Sequence, residues 1–143
     1  MADSNITKRA LAAALKELME QKPFSKINVA EICEKCGMNR KSFYYHFKDK
    51  YDLVNWIFDM DFAKVLEAHE KKDYFTWPFL EALCECFYEN RCFYRKALKI
   101  REQNCLIDHY REKLEPFMQA GMRKILHETE YMDFQINFFA DAF

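Results

Sequence analysis

Ile27-Asn-Val-Ala-Glu-Ile-Cys-Glu-Lys-Cys36-Gly37-Met-Asn39-Arg-Lys-Ser-Phe43-Tyr-Tyr-His-Phe47-Lys-Asp-Lys50-Tyr-Asp-Leu53 is the stretch that decides the fold. Gly37 divides it into two short helical segments. Asn28 is a good N-cap for the first, Val29–Cys36, and Gly37 supplies the left-handed backbone position that ends it. The second runs from about Asn39 to Phe47. It exposes Asn39, Arg40, Lys41 and Ser42, then closes with aromatics around His46. A scaffold helix, a glycine turn and a helix whose first residues can reach base edges form a helix-turn-helix, which points to DNA.

Outward from this stretch the chain reads as helix throughout. Upstream, Ile6, Ala10, Leu11, Ala14, Leu15, Leu18 and Met19 recur at the intervals of one helical face, with Ser4 or Asn5 as cap. Lys22-Pro23 ends that helix, and Phe24 and Ile27 plug the connection. Downstream, Asp49 caps a long helix with Leu53, Val54, Ile57, Phe58, Met60, Val65 and Leu66 as its buried side. Lys71-Lys72-Asp73 reads as a loop, and a further helix starts near Thr76 with Pro78 tolerated in its first turn. Glu89-Asn90 breaks it, and Asn90 is the expected cap of the next helix through Phe93, Ala97 and Leu98. The pattern Leu106, Tyr110, Leu114, Phe117, Met118, Met122, Ile125 is interrupted by Pro116, where a kink or break is expected. Residues 134–143 begin another amphipathic helix and stop on Phe143, so the expectation is a chain that continues further.

Composition agrees with an all-α protein. Half the residues are apolar and 17% aromatic, enough for a sizeable core, while only two glycines and three prolines punctuate the chain. A dinucleotide fold or a P-loop needs a glycine cluster, and there is none. Residues 1–50 carry ten Lys/Arg against six Asp/Glu, a net +4, and residues 51–143 a net −5. A basic N-terminal third suits contact with a polyanion. There is no apolar run of about 18 residues and no signal-peptide core, so no membrane span is expected. Six cysteines in such a chain point to the reducing cytoplasm.

Gly37, the block Phe43-Tyr44-Tyr45-His46-Phe47, Lys50 and Leu53 together make residues 5–55 closely resemble the DNA-binding domain of the TetR family of bacterial transcription regulators. Glu89-Asn90-Arg91-Cys92-Phe93-Tyr94 is similar to the variable body of a subset of small members, some of which regulate dihydroxyacetone kinase operons. The resemblance implies an N-terminal three-helix helix-turn-helix domain, residues 4–50, and a helical regulatory and dimerisation body, residues 51–143, incomplete at its C-terminal end. It implies a homodimer, paired through its C-terminal helices, on a pseudo-palindromic operator in double-stranded DNA. Arg40, Lys41 and Ser42 would face bases. Tyr44, Tyr45, His46 and Lys50 would hold phosphates or sugar, although His46 alternatively caps or packs. Arg and Lys donate well to guanine O6 and N7, and Tyr and His suit the backbone. Asn28 and Asn39 stand at helix starts, Asn28 with a backbone N–H for phosphate, and Lys8 and Lys48 add charge. Phe43 and Phe47 are core aromatics.

Three other signals need weighing. Cys33-x-x-Cys36 invites a metal or thiol-switch reading, but structural zinc needs four ligands, and Cys84-x-Cys86 has the wrong spacing. Small buried core residues are the preferred reading, with no metal and no cofactor. Trp56, Trp77, Phe87, Tyr94, His109, Phe117, Met118 and Met122 either line an effector cavity, as the same region does in relatives, or are plain core. His46, His69, His109 and His127 are scattered, and no nucleophile–base or paired-carboxylate pattern occurs, so an enzyme is not expected. The competing function is a co-regulator that keeps this fold and answers to a partner protein instead of a small molecule.

Overall fold

Pro23 and Gly37 cut the N-terminal third into helices where backbone chemistry requires a cut. Pro23 stands at φ −62°, ψ 144°, extended backbone that stops helix α1 (Ala2–Gln21) and leads into a 3₁₀ turn, Phe24–Lys26. Asn28 then caps α2 (Val29–Lys35): its side chain accepts the Glu31 N–H at 3.0 Å, and Glu31 Oε2 accepts the Asn28 N–H at 3.0 Å. This reciprocal capping box satisfies two otherwise orphan donors. Gly37, at φ 69°, supplies the left-handed position before α3 (Arg40–His46).

The computed structural model describes residues 2–69, 76–102, 105–125 and 131–142. The remaining helices are α4 (Lys50–Ala68), α5 (Trp77–Glu89), α6 (Arg91–Ala97), α7 (Leu106–Ile125) and α8 (Met132–Ala142), and no strand occurs among the described residues. The fold is all-α, as the periodicity requires. No helix among the described residues is long and apolar enough to cross a membrane. The Lys71-Lys72-Asp73 loop and His127 lie outside the described residues.

Packing divides the chain into two compact units, Met1–Asp59 with Asn90–Leu106, and Met60–Glu89 with Ile107–Phe143. In the first unit α1 packs against α2, α3 and α6. Leu11, Leu15, Met19, Ile27, Ile32, Phe43, Phe47, Leu53 and Phe58 close its core, joined by Phe93, Tyr94 and Ala97 of α6. Polar bonds bind α6 to α1. Lys16 Nζ donates to Asn90 Oδ1 at 3.1 Å and lies 5.4 Å from the Phe93 ring centre, while Lys96 Nζ donates to the Met19 carbonyl. In the second unit Phe62, Phe79 and Phe117 form an aromatic cluster with centroids 4.8–5.9 Å apart. Met122 of α7 packs with Met132 and Ile136 of α8, and Arg111 pairs with Asp141 at 2.6 Å.

Four local expectations are corrected. Helix α1 begins at Ala2, so neither Ser4 nor Asn5 stands at its cap, and Ile6 is exposed. Asn90 precedes α6 but makes no side-chain cap bond, because its amide oxygen is taken by Lys16. Helix α7 continues through Pro116, so of the expected kink or break the break does not occur. Proline there forfeits the bond to the Glu112 carbonyl, but both residues are exposed and solvent can serve that oxygen. Burial of Leu114 on one side and of Met118 and Met122 on the other holds both halves of the helix in place.

Candidate nucleic-acid interface

Helix α3 is built to hold one face inward and show the other. Phe43 is fully buried and Phe47 nearly so, their rings 5.8 Å apart, which fixes the helix on the core. Burying a Phe side chain contributes about 1.5–3 kcal/mol. Asn39 caps the N-terminus by accepting the Ser42 N–H at 2.8 Å and the Ser42 hydroxyl at 3.2 Å. Such a cap contributes about 1 kcal/mol. Asn39 and Ser42 are therefore first a cap pair. Arg40 and Lys41, on the same turn, are exposed.

The second turn presents Tyr44 at 50% exposure and Tyr45 at 83%. The Arg40 guanidinium carbon lies 5.9 Å from the Tyr44 ring centre, and His46 stands half-buried, edge-on to Tyr45 at 4.9 Å. Lys48 is exposed, with its backbone N–H held by Asp52 Oδ2 at 2.9 Å. Asp49 caps α4 as expected, accepting the Tyr51 and Asp52 N–H groups at 2.9 Å each.

Asn28, Arg40, Tyr44 and Lys50 share an open groove of about 640 Å³, with Ser25, Val29, Ala30, Asp49 and Tyr51 among its other lining residues. Within it Lys50 is partly a strut. Its ammonium donates to the Phe24 carbonyl at 3.0 Å and the Ile27 carbonyl at 2.8 Å, and it sits 4.4 Å from the Phe24 ring centre. Burial holds its pKa below the ordinary lysine value, against an opposing pull from Glu102. Two of three ammonium donors are thus spent inside the protein, leaving one for a phosphate. The Asn28 N–H is likewise committed to Glu31, whose carboxylate also pairs with Lys22. Hydrogen bonding from Lys22 and from the Asn28 backbone lowers the Glu31 pKa. Lys22 and Glu31 escaped the sequence reading, although Asn-x-x-Glu ahead of an apolar run is a capping-box signature. Lys8 lies over Phe47 and Trp56 at 6.0 Å from each ring centre.

Cys33 is buried, and desolvation raises its pKa and that of Cys36. The Cys36 thiol donates to the Ile32 carbonyl at 3.2 Å. Such thiols are poor nucleophiles. No group of three or more metal-ligating side chains occurs among the described residues.

The aromatic residues read as a possible effector site fall into different units. Trp56 and Tyr94 belong to the first unit, Trp56 against Phe47 at 5.8 Å and Tyr94 against Phe93 at 5.0 Å. Phe87, His109, Phe117 and Met118 belong to the second, where Phe87 faces Tyr110 at 6.2 Å, Phe117 joins the aromatic cluster and Met118 is buried.

Comparison with known proteins agrees with this architecture. Residues 10–57 match the family described as bacterial regulatory proteins, tetR family, and residues 76–143 match the transcriptional regulator C-terminal region. The HTH-type dhaKLM operon transcriptional activator DhaS of Lactococcus lactis subsp. lactis (strain IL1403) is 34% identical over 101 residues. That match covers 70% of this chain and 53% of the relative, so it spans about half the relative's length. The solved structure of a dihydroxyacetone kinase operon activator DhaS superposes with a TM-score of 0.68 at 26% identity, over 96% of this chain and 79% of that one. With its capped helix-turn-helix and the two matches in tandem, this chain belongs to the TetR family of transcription regulators.

Proposed function

We propose that the protein binds a pseudo-palindromic operator as a homodimer, each α3 entering the major groove of one half-site. The observation that carries this is α3 itself: capped by Asn39 and anchored by Phe43, it shows Arg40, Lys41, Tyr44 and Tyr45 to solvent. Arg40 and Lys41 read bases, with Ser42 beside them. Tyr44, Tyr45, Lys48, His46 and the remaining donor of Lys50 hold the backbone. Residues 4–50 serve as the DNA-binding part and 51–143 as the regulatory and dimerisation part. Pairing through α8 is supported by its outer face, where Phe134 is 70% and Phe138 58% exposed, with Tyr131 and Phe139 alongside. A contiguous phenyl face of this kind is what a protein interface buries. The relative's printed role as an operon activator favours activation over repression.

A partner protein is favoured over a small molecule as the signal. Trp77 and Tyr88 of α5 are exposed, apolar surface of the kind that a partner protein covers. Either signal acts by shifting the population of dimers whose recognition helices are about 34 Å apart, one turn of DNA. The test is selection of duplexes from a random pool by the purified protein, followed by sedimentation of the complex. A two-fold symmetric motif bound by two chains is expected. Recovery of no motif, with no salt-dependent binding, overturns the reading.

A further inference from the structure

Residues 91–101, Arg-Cys-Phe-Tyr-Arg-Lys-Ala-Leu-Lys-Ile-Arg, carry five cations and no carboxylate. This run lies inside residues 51–143, whose net charge is negative, so averaging over that stretch hides it. Structurally it belongs to the same packing unit as the helix-turn-helix. The buried face of α6 (Phe93, Tyr94, Ala97) holds it against the core, and Lys96 spends its ammonium on the Met19 and Glu20 carbonyls at the end of α1. That bond anchors α6 beside the Pro23–Phe24 link. Lys99, Arg101 and Arg95 remain exposed.

These cations form part of a track. A groove of about 530 Å³ is lined by Lys22, Ser25, Lys96, Lys99, Arg101 and Glu102, among others, so four cations face one carboxylate. Ser25 also lines the groove of Arg40, Tyr44 and Lys50. On the other side Lys96 and Lys99 are shared with a groove that reaches Arg95. The three grooves therefore adjoin from the recognition helix to the exposed face of α6, through Ser25 on one side and Lys96 and Lys99 on the other, with Asp49, Glu102 and Glu20 as the one carboxylate in each. Lys22 is partly neutralised by Glu31, which leaves Lys99, Arg101 and Arg95 as the track's unspent charges.

We propose that this track is a second phosphate-binding surface, which carries the DNA backbone flanking the half-site past the 3₁₀ turn and onto Lys99, Arg101 and Arg95. The inference rests on operator binding by α3. Its contacts would be to phosphate alone, adding affinity and salt dependence without sequence preference. Charge complementarity and continuity with the α3 groove favour DNA over an acidic protein surface as the occupant.

The test uses the full chain and two duplexes carrying the selected motif, one trimmed to the motif and one extended on each side by about ten base pairs, a helical turn. Wild type should bind the extended duplex more tightly and with a steeper salt dependence. The double variant Lys99→Gln, Arg101→Gln should lose that advantage, its log–log salt slope on the extended duplex falling by about three to four, two contacts from each of the two chains, with affinity for the trimmed duplex unchanged. Both side chains are exposed, so the variant should fold, which circular dichroism checks. Equal wild-type affinity for both duplexes overturns the track but leaves operator binding intact. So does a variant that behaves as wild type on both, the result expected if an acidic protein occupies the groove. Wild type that binds neither duplex overturns operator binding, and the track with it.

Discussion

Helices α3 and α8 both expose aromatic rings, but of different kinds. Tyr44 and Tyr45 on α3 carry hydroxyls and stand beside Arg40 and Lys41, whereas Phe134, Phe138 and Phe139 on α8 carry none. A tyrosine ring packs at one end and hydrogen-bonds at the other, which suits a wet, charged surface such as a phosphate backbone. A phenyl ring gains only by losing water, so it suits a dry protein surface. Exposure alone does not name a partner; the atoms at the tip of the exposed ring do.

The largest expected effect breaks the α8 side of this contrast. Replacing both Phe134 and Phe138 with Glu removes two apolar anchors per chain, each contributing about 1.5–3 kcal/mol when buried. The protein should sediment as a monomer yet unfold at nearly the wild-type denaturant midpoint, because both rings are exposed in the single chain. An unchanged dimer would place the interface elsewhere. Next is the scaffold under α3: Phe43→Ala empties a fully buried site and should cost about 3–5 kcal/mol in urea unfolding. Arg40→Ala should cost about 1–3 kcal/mol on the selected motif and relax specificity at one base position. If it weakens all sequences alike, Arg40 is a backbone contact. Tyr45→Phe converts an α3 ring into an α8-like one. It should lose about 0.5–1.5 kcal/mol on every sequence, and no loss at all would mean that its hydroxyl is idle.

The smallest effect concerns the capping box. The Glu31 pKa is lowered from 4.5, so its stabilisation is present above that value and is lost as pH falls through the folded-state pKa. Glu31→Gln should therefore be less stable than wild type at neutral pH and converge with it in strong acid. A gap that persists in acid would show that hydrogen bonding, not charge, holds the box.

Much of the fold was legible because its signals are local. Gly37, the Asn28 cap, the Asp49 cap and the stop at Pro23 each act within four residues, and each stands where the sequence places it. The failures share a non-local cause. Asn90 forgoes capping for Lys16, 74 residues away, and α7 keeps Pro116 because packing on both sides outweighs one lost bond. Lys50 reads as a surface cation until the Phe24 and Ile27 carbonyls, 26 and 23 residues upstream, are seen to accept from it.

The sequence by itself determined an all-α chain, a helix-turn-helix over residues 27–53 and the exposed polar start of α3, because periodicity and capping are written in neighbouring residues. Only the tertiary structure decided that α6 packs in one unit with the helix-turn-helix, that Lys50 turns its ammonium onto the Phe24 and Ile27 carbonyls, and that the groove lined by Lys96, Lys99 and Arg101 shares Ser25 with the α3 groove. These depend on which distant surfaces exclude water together. That is a property of the packed chain, and no window along the sequence contains it.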